Sequence, residues 1–464
     1  MKTTGCPKLD ADLTAFWSLT EERFVDAATF SARLEETSKL LKYADLGAYD
    51  ADAIRAHADD ALDDMFELKL ALRERVPEWQ ALGLMNRDVQ RALRGIFRDS
   101  RYVTDMLGEL ITGRSLSPGR GVTTQMAFTG GPLQVSVNPR YGRDTETVSF
   151  EPGDVLLVRG MEANSAAIAR IGDVDSQFSH VALISQDQAG QIDVVESLIA
   201  VGATISTLKS TLGHDLVRVL LLRPRDRELG LIASTLIRAH VERSLAGPLP
   251  RIPYNFGMEL DDYSSLFCSQ LVRLAYALAS DGAVQLPMFA TRLDLTNRTF
   301  FEQIGVTARE TFAPADVEID PFFDVVAEWR DYRFTAYIRM QDVVMDAIFW
   351  WMETENYAFR EPLSIEISSL IAKGTAYLPD PFRAAIRNVM PEIPRNMSRT
   401  AVAAVTMLHF TAKPLADMLM AEHHKLMRET GRPLHPVDAF AILERHRLQA
   451  GRRVGMLYAN PVLV

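Results

Sequence analysis

The spacing of apolar residues changes period twice along this chain, and that change limits the architectures open to it. From about Asp10 to Thr112 apolar residues recur at helical spacing. Phe30, Leu34 and Leu41 form one stretch that ends near Gly47; Ile54, Leu62, Met65 and Leu72 form a second, up to Pro77. Val89, Leu93, Ile96 and Phe97 stand at i, i+4, i+7 and i+8, and Tyr102, Val103, Met106 and Leu107 extend their stripe. At Gly113 the texture shifts. Residues 113–121 are rich in Gly, Ser, Pro and Arg and read as a linker. After the turn signal Gly130-Gly131-Pro132, residues Leu133, Val135 and Val137 alternate with period two. A continuous apolar run at 155–158 follows the turn Glu151-Pro152-Gly153-Asp154, and 180–184, 192–195 and 217–222 are further expected strands, punctuated by Gly190 and Gly213.

Helical spacing returns over 229–245 and 268–279, and again beyond Ile338, where Met340, Val343, Val344, Ala347, Ile348 and Trp351 share one stripe. Pro379, Pro381, Pro391 and Pro394 divide the next stretch; longer helices are expected from Met397 to about Arg428 and from Pro436 to about Leu448. The pattern predicts an α+β protein. A central domain of strands and helices over 148–335, one helix carrying a cysteine, is flanked by helical regions at 1–112 and 336–464, with 113–147 as linker and β-rich lead-in. At 464 residues the chain is long enough for two or three cores. The N-terminal helices read as a cap on the central domain rather than as a targeting module.

Charge and cysteine content exclude several function classes. A net charge of −11 makes nucleic-acid binding by bulk charge a poor fit. Cys6 and Cys268, the two cysteines, make no disulfide framework, and no Cys/His group has zinc-like spacing, so neither a metal nor an organic cofactor is implied. A reducing compartment of synthesis follows. The first residues lack the apolar stretch of a secretory signal, so the expectation is synthesis as a soluble cytoplasmic chain; export by a signal-independent route, as for a toxin, would leave no trace. No uncharged apolar run approaches a membrane span. Peripheral membrane contact and oligomeric state stay open.

The chemistry concentrates in the central domain. Leu271, Leu274, Ala275 and Leu278 fit one helical face, which puts Cys268 in the first turn of its helix, with Ser264 or Ser265 as the expected cap. A helix N-terminus lowers a thiol's pKa, and its unpaired amides, those of Cys268 and Ser269 among them, can polarise a carbonyl. His180 opens an apolar run after a polar loop, and Glu196 ends the next run; paired as a hairpin, these strands bring the carboxylate to the imidazole. A thiol nucleophile, a base and an orienting carboxylate make a cysteine hydrolase or acyltransferase.

In order, Glu151-Pro152-Gly153-Asp154-Val155, Ser179-His180-Val181-Ala182, Val195-Glu196-Ser197 and Phe267-Cys268-Ser269-Gln270-Leu271-Val272 resemble the permuted papain-like hydrolases of the NlpC superfamily, in particular the YiiX-type branch. The resemblance covers roughly residues 148–310. It implies a small α+β domain whose cysteine helix packs on an antiparallel sheet, and a Cys–His–polar triad carried to Cys268, His180 and Glu196. The sequence departs from the family pattern at Gln270, where an acidic residue is expected; that side chain should point away from the thiol.

The resemblance implies two substrate classes: amide-linked peptides, such as cell-wall crosslinks, and acyl lipids handled by phospholipase-like or acyltransferase members. A third reading keeps the fold without catalysis, as a binding or scaffold protein. Tyr254 is a candidate for binding an oxyanion or substrate, as is Ser269; Asp154 is a further candidate, though more readily a residue that fixes its turn. His214 and the pair His423-His424 are expected at the surface rather than on a metal. The apolar run Ile348-Phe349-Trp350-Trp351-Met352 is expected between layers, with a lipid-facing or partner-facing patch as the alternative.

Overall fold

The computed structural model describes residues 4–43, 48–111, 122–123, 133–142, 148–213, 216–247, 251–293, 299–360 and 396–460. The expected linker at 113–121, the turn at 130–132, His214 and the four prolines between 379 and 394 lie outside the described residues. Four helices come first: α1 (Pro7–Glu21), α2 (Ala27–Lys42), α3 (Ala51–Ala81) and α4 (Arg87–Ile111). Asp26 and Asp50 start α2 and α3 by accepting hydrogen bonds from first-turn amides. One boundary differs from expectation. Helix α3 runs through Pro77 to Ala81, because a proline so near the end removes little of the ladder and Trp79 anchors the last turn against Phe30.

The sheet has the strand order β1-β2-β10-β7-β3-β4-β5-β6, and each recorded pairing in it is antiparallel. Its strands are β1 (Val122–Thr123), β2 (Leu133–Val137), β3 (Val155–Gly160), β4 (His180–Gln186), β5 (Ile192–Leu198), β6 (Gly202–Thr207), β7 (Leu216–Pro224) and β10 (Phe323–Arg330). Alternate side chains serve two cores, which is why the central strands read as unbroken apolar runs. Val155, Leu157, Val181, Leu183, Val195 and Leu220 face α7 (Arg227–Ala246) and α8 (Cys268–Ala279); Leu156, Val158, Ala182, Ile184, Val194 and Val219 pack on the other side. Short pieces complete the domain: α5 (Ala163–Ala169), α6 (Leu208–Leu212), α9 (Thr299–Ile304) and the small β8 (Thr291–Arg292) and β9 (Glu310–Thr311) pair.

Two strands escape the periodicity. β6 lies at the sheet edge, half-buried and polar. β10 interleaves Asp324, Glu328 and Arg330 with its apolar residues, yet all of it is buried, because α3 and α4 supply partners for Glu328 and Arg330 while Arg140 and Arg225 pair with Asp324. Lys69 pairs with Glu328, Arg101 with Glu318, and Asp105 accepts from both Arg218 (2.7 Å) and Arg330 (2.5 Å). The N-terminal helices are thereby fastened to the sheet. At Gly108 the approach is so close that an added Cβ would fall 1.9 Å from the Tyr332 ring.

The C-terminal helices α10 (Thr335–Thr354), α11 (Arg399–Thr430) and α12 (Pro436–Ala450), with the strands β11 (Tyr357–Phe359), β12 (Arg453–Val454) and β13 (Leu457–Ala459), enclose a further core that α5 and α9 of the central domain share. Ile348, Phe349, Trp351 and Met352 lie inside it, and Trp350 alone of that run reaches solvent. His423 corrects an expectation. It is buried rather than superficial, its Nδ1 accepts from the Leu434 amide at 3.2 Å, and burial, with Arg339 and His424 nearby, pushes its pKa down to about 4. Among the described residues no group of His, Cys, Asp and Glu side chains is placed to hold a metal, and no helix is long and apolar enough to cross a membrane.

Candidate active site

Helix α8 forms because Leu271, Val272, Ala275 and Tyr276 bury one face against the sheet. Its start is not made by a serine. Phe267 is the N-cap, and the side chain of Gln270 reaches back, its Oε1 accepting from the Phe267 amide at 3.3 Å and from Asn255 Nδ2 at 3.1 Å. Gln270 Nε2 donates to the carbonyls of Glu259, Leu260 and Asp262. The residue expected to point away without consequence therefore shapes the loop in front of the thiol. An amide can do this where a carboxylate cannot, since it donates and accepts at once.

The β4–β5 pairing ends at Leu183 opposite Val195, although both strands continue past that point. The splayed mouth receives the start of α8: Ser197 Oγ donates to the Leu266 carbonyl at 2.5 Å, and the Val181 amide donates to the Cys268 sulfur. Cys268 is 4% exposed, and its thiol lies within hydrogen-bonding reach of the His180 ring. On the other side, His180 Nε2 meets Glu196 Oε2 at 2.8 Å. Thr211 Oγ1 donates to the second carboxylate oxygen at 3.2 Å. Thiol, imidazole and carboxylate form one line, with its carboxylate end buried and held.

The electrostatics follow from that line. Burial opposes charge on each member, and mutual pairing outweighs it. Burial lowers the His180 pKa, but hydrogen bonds to Cys268 and Glu196 and the charges on both bring it up to about 10. Burial raises the Cys268 pKa, but the His180 ring, the Val181 amide and the Ser269 hydroxyl bring it below the ordinary thiol value. Glu196, also raised by burial, is held below the usual carboxylate range chiefly by His180. The shifts favour a thiolate–imidazolium pair over a neutral thiol and imidazole. Were this pair to hydrolyse an amide, the thiolate would have to attack and the imidazolium to protonate the amine. The rate should therefore rise through an acid limb below the ordinary thiol value and fall as His180 loses its proton near pH 10. A pH profile on any cleaved amide checks this; an acid limb at or above pH 9 would contradict it.

The other expected site residues separate. Tyr254 is buried beside Cys268: burial, and then the Cys268 charge, hold its phenol protonated. The loop that carries it is pressed against β6, where an added Cβ at Gly202 (φ +74°) would fall 2.1 Å from the Ile252 carbonyl. Asn396, from the C-terminal region, donates to the Tyr254 carbonyl at 2.7 Å. Ser269 stands next to the thiol, with the two side chains 3.8 Å apart, but its hydroxyl donates to the Phe312 carbonyl at 2.7 Å. Asp154 stands at its turn, away from His180. It lies beside Ile184, four residues along β4 from His180 and so about 13 Å away. There it pairs with Arg223 through both oxygens at 2.7 Å and accepts from the Glu151 amide, which fixes the turn. Sequence reading missed the Val181 amide, Thr211 and the role of Gln270; only Gln270, three residues after Phe267, carried a local capping signal.

Residues 149–326, less than half of the chain, match a family described as a permuted papain-like amidase enzyme, YaeF/YiiX, C92 family. No curated protein and no solved structure matches the chain significantly. The matched segment runs from just before β3 into β10 and contains Cys268, His180 and Glu196. Over this central segment the chain is similar to the permuted papain-like amidases of the YaeF/YiiX type, which supports a cysteine amide hydrolase in general.

Proposed function

We propose that the protein hydrolyses an amide bond through a thioester on Cys268, with His180 as general acid and base and Glu196 as its orienting partner. The line from thiol to imidazole to buried carboxylate carries this reading. The Cys268 thiolate attacks the carbonyl carbon, and the first amides of α8, which have no carbonyl four residues back, stabilise the oxyanion. His180 gives its proton to the departing amine as the C–N bond breaks. It then takes a proton from water, which attacks the thioester; the carboxylic acid leaves and the thiolate–imidazolium pair is restored. Glu196 keeps the ring in register and supports its positive charge.

A peptide-type amide is favoured over a lipid ester. The apolar run at 348–352, the feature that suggested an acyl groove, is spent on the C-terminal core. Incubating the purified protein with amide-linked cell-wall peptides and, separately, with phospholipid vesicles, read by mass spectrometry, tests the choice. New amine and carboxylate termini from the peptides, absent with Cys268→Ala, are expected. Fatty-acid release with every amide intact would overturn it.

A further inference from the structure

The loop that delivers His180 is locally unfavourable. Gln177 sits at φ +57°, a left-handed conformation that costs a side-chain-bearing residue. Its side-chain amide is fully buried and finds no hydrogen-bond partner among the described residues. Something outside the loop has to offset these costs, because strain of this kind persists only where the surroundings over-determine it.

Beside Arg170, which donates to Asp175 Oδ2 at 2.7 Å, helix α4 adds support at three residues on adjoining positions of one face: Arg101, Tyr102 and Asp105. The Arg101 guanidinium lies 4.7 Å over the Phe178 ring. Tyr102 Oη donates to Asp175 Oδ2 at 3.2 Å, while Asp175 Oδ1 accepts from the Gln177 amide at 2.7 Å. Asp105 holds Arg218 at 2.7 Å, and Arg218 donates in turn to the Gln177 carbonyl at 3.0 Å. Both backbone polar groups of the strained residue are thus tied, through one intermediary each, to α4. That helix lies outside the segment that matches the amidase family.

We infer that the N-terminal helical region is a positioning element for catalysis: Arg101, Tyr102 and Asp105 of α4 hold residues 175–179 in the strained form that aims His180 at Cys268. The inference rests on the proposed roles of Cys268 and His180. None of the three residues touches the reacting atoms.

The test is the rate at which iodoacetamide alkylates Cys268 across pH 5–9, with the modified peptide quantified by mass spectrometry, alongside circular dichroism and thermal midpoint. Tyr102→Phe keeps the ring and removes the bond to Asp175; Asp105→Asn weakens the grip on Arg218. Each should slow alkylation at pH 6 by about tenfold, the size expected for one lost hydrogen bond, and move the profile toward that of an ordinary thiol. Gln177→Gly, which adopts positive φ freely, should restore most of the lost rate in the Tyr102→Phe background without restoring any contact to α4. If Asp105→Asn does not fold, the isosteric Tyr102→Phe and its glycine rescue decide. A reactive wild type with an unchanged Tyr102→Phe profile, or a loss that Gln177→Gly does not repair, would overturn the positioning role and leave the nucleophile assignment intact. A wild type unreactive at pH 6 would instead overturn the nucleophile assignment.

Discussion

Replacing Cys268 by alanine is expected to abolish amide turnover, and replacing His180 by alanine to lower kcat by roughly 10²–10⁴-fold. The two losses differ in kind. Without the sulfur there is no acyl intermediate, and no neighbouring group takes its place, since the Ser269 hydroxyl is committed to the Phe312 carbonyl. Without the imidazole the sulfur remains, but burial then raises its pKa with no opposing charge, and the departing amine has no proton donor. Cys268→Ser should be nearly as inactive as alanine, because a hydroxyl does not ionise beside an imidazole as a thiol does. Glu196→Gln retains an acceptor for the ring N–H and loses the charge, so a smaller fall, about 10–100-fold, is expected by analogy with other polar partners that orient a histidine. Steady-state kinetics on one cleaved peptide, with circular dichroism to confirm folding, checks the series. Equal losses for Glu196→Gln and His180→Ala would show that the carboxylate does more than orient the ring.

The largest stability effect is expected far from the nucleophile, at Glu328. This carboxylate contacts Lys69, lies 2.6 Å from Arg330 and 3.9 Å from Arg101, and all four side chains are buried. Burial raises its pKa, but the charges of Arg330, Lys69 and Arg101 outweigh this and hold it well below the usual carboxylate range. Glu328→Gln preserves the volume, leaves Arg330 and Arg101 short of a counter-charge, and removes the charge that opposes the burial-driven fall of the Lys69 pKa to about 7; it should cost about 3–5 kcal/mol of unfolding free energy. An exposed pair gives the contrast: Arg87→Ala, which removes one of two partners of Glu310 at the surface, should change stability by no more than about 1 kcal/mol. Urea denaturation followed by fluorescence measures both. Because the folded-state pKa of Glu328 is depressed, its contribution is fully present above the ordinary glutamate value and is lost as pH falls below it. The Glu328→Gln protein should accordingly show a weaker acid dependence of stability than the wild type. A change under 1 kcal/mol for Glu328→Gln would mean that water or rearrangement relieves the cations and that the ionic cluster does not secure the N-terminal helices.

What could be read from the sequence was what local spacing encodes. The strands at 155–158, 180–184, 192–195 and 217–222 were legible because a sheet covered on both faces needs continuous apolar runs. The candidate triad was legible because each member sits in a short phrase at an element's start or end. β10 was hidden because its charges look like surface until α3 and α4 are seen to neutralise them. The serines before Cys268 looked like caps because serine is the commoner device, whereas Gln270 makes the contact from inside the helix. His423 looked superficial because an adjacent histidine pair gives no hint of the Leu434 amide that its ring accepts from. The connection from α4 to the His180 loop joins residues about seventy or more positions apart, and no pattern of spacing reports such a contact.

A reactive thiolate at position 268 is central to the proposed chemistry, and Cys6 provides an internal reference, since it too is buried and unpaired by any disulfide. Native protein treated briefly with iodoacetamide at pH 6, then digested and analysed by mass spectrometry, reports both thiols at once. Cys268 is expected to be alkylated many times faster than Cys6, with that advantage lost in His180→Ala. Equal labelling of the two cysteines, or labelling of Cys268 that appears only as pH approaches the range of a free thiol, would contradict the nucleophile assignment and the mechanism built on it.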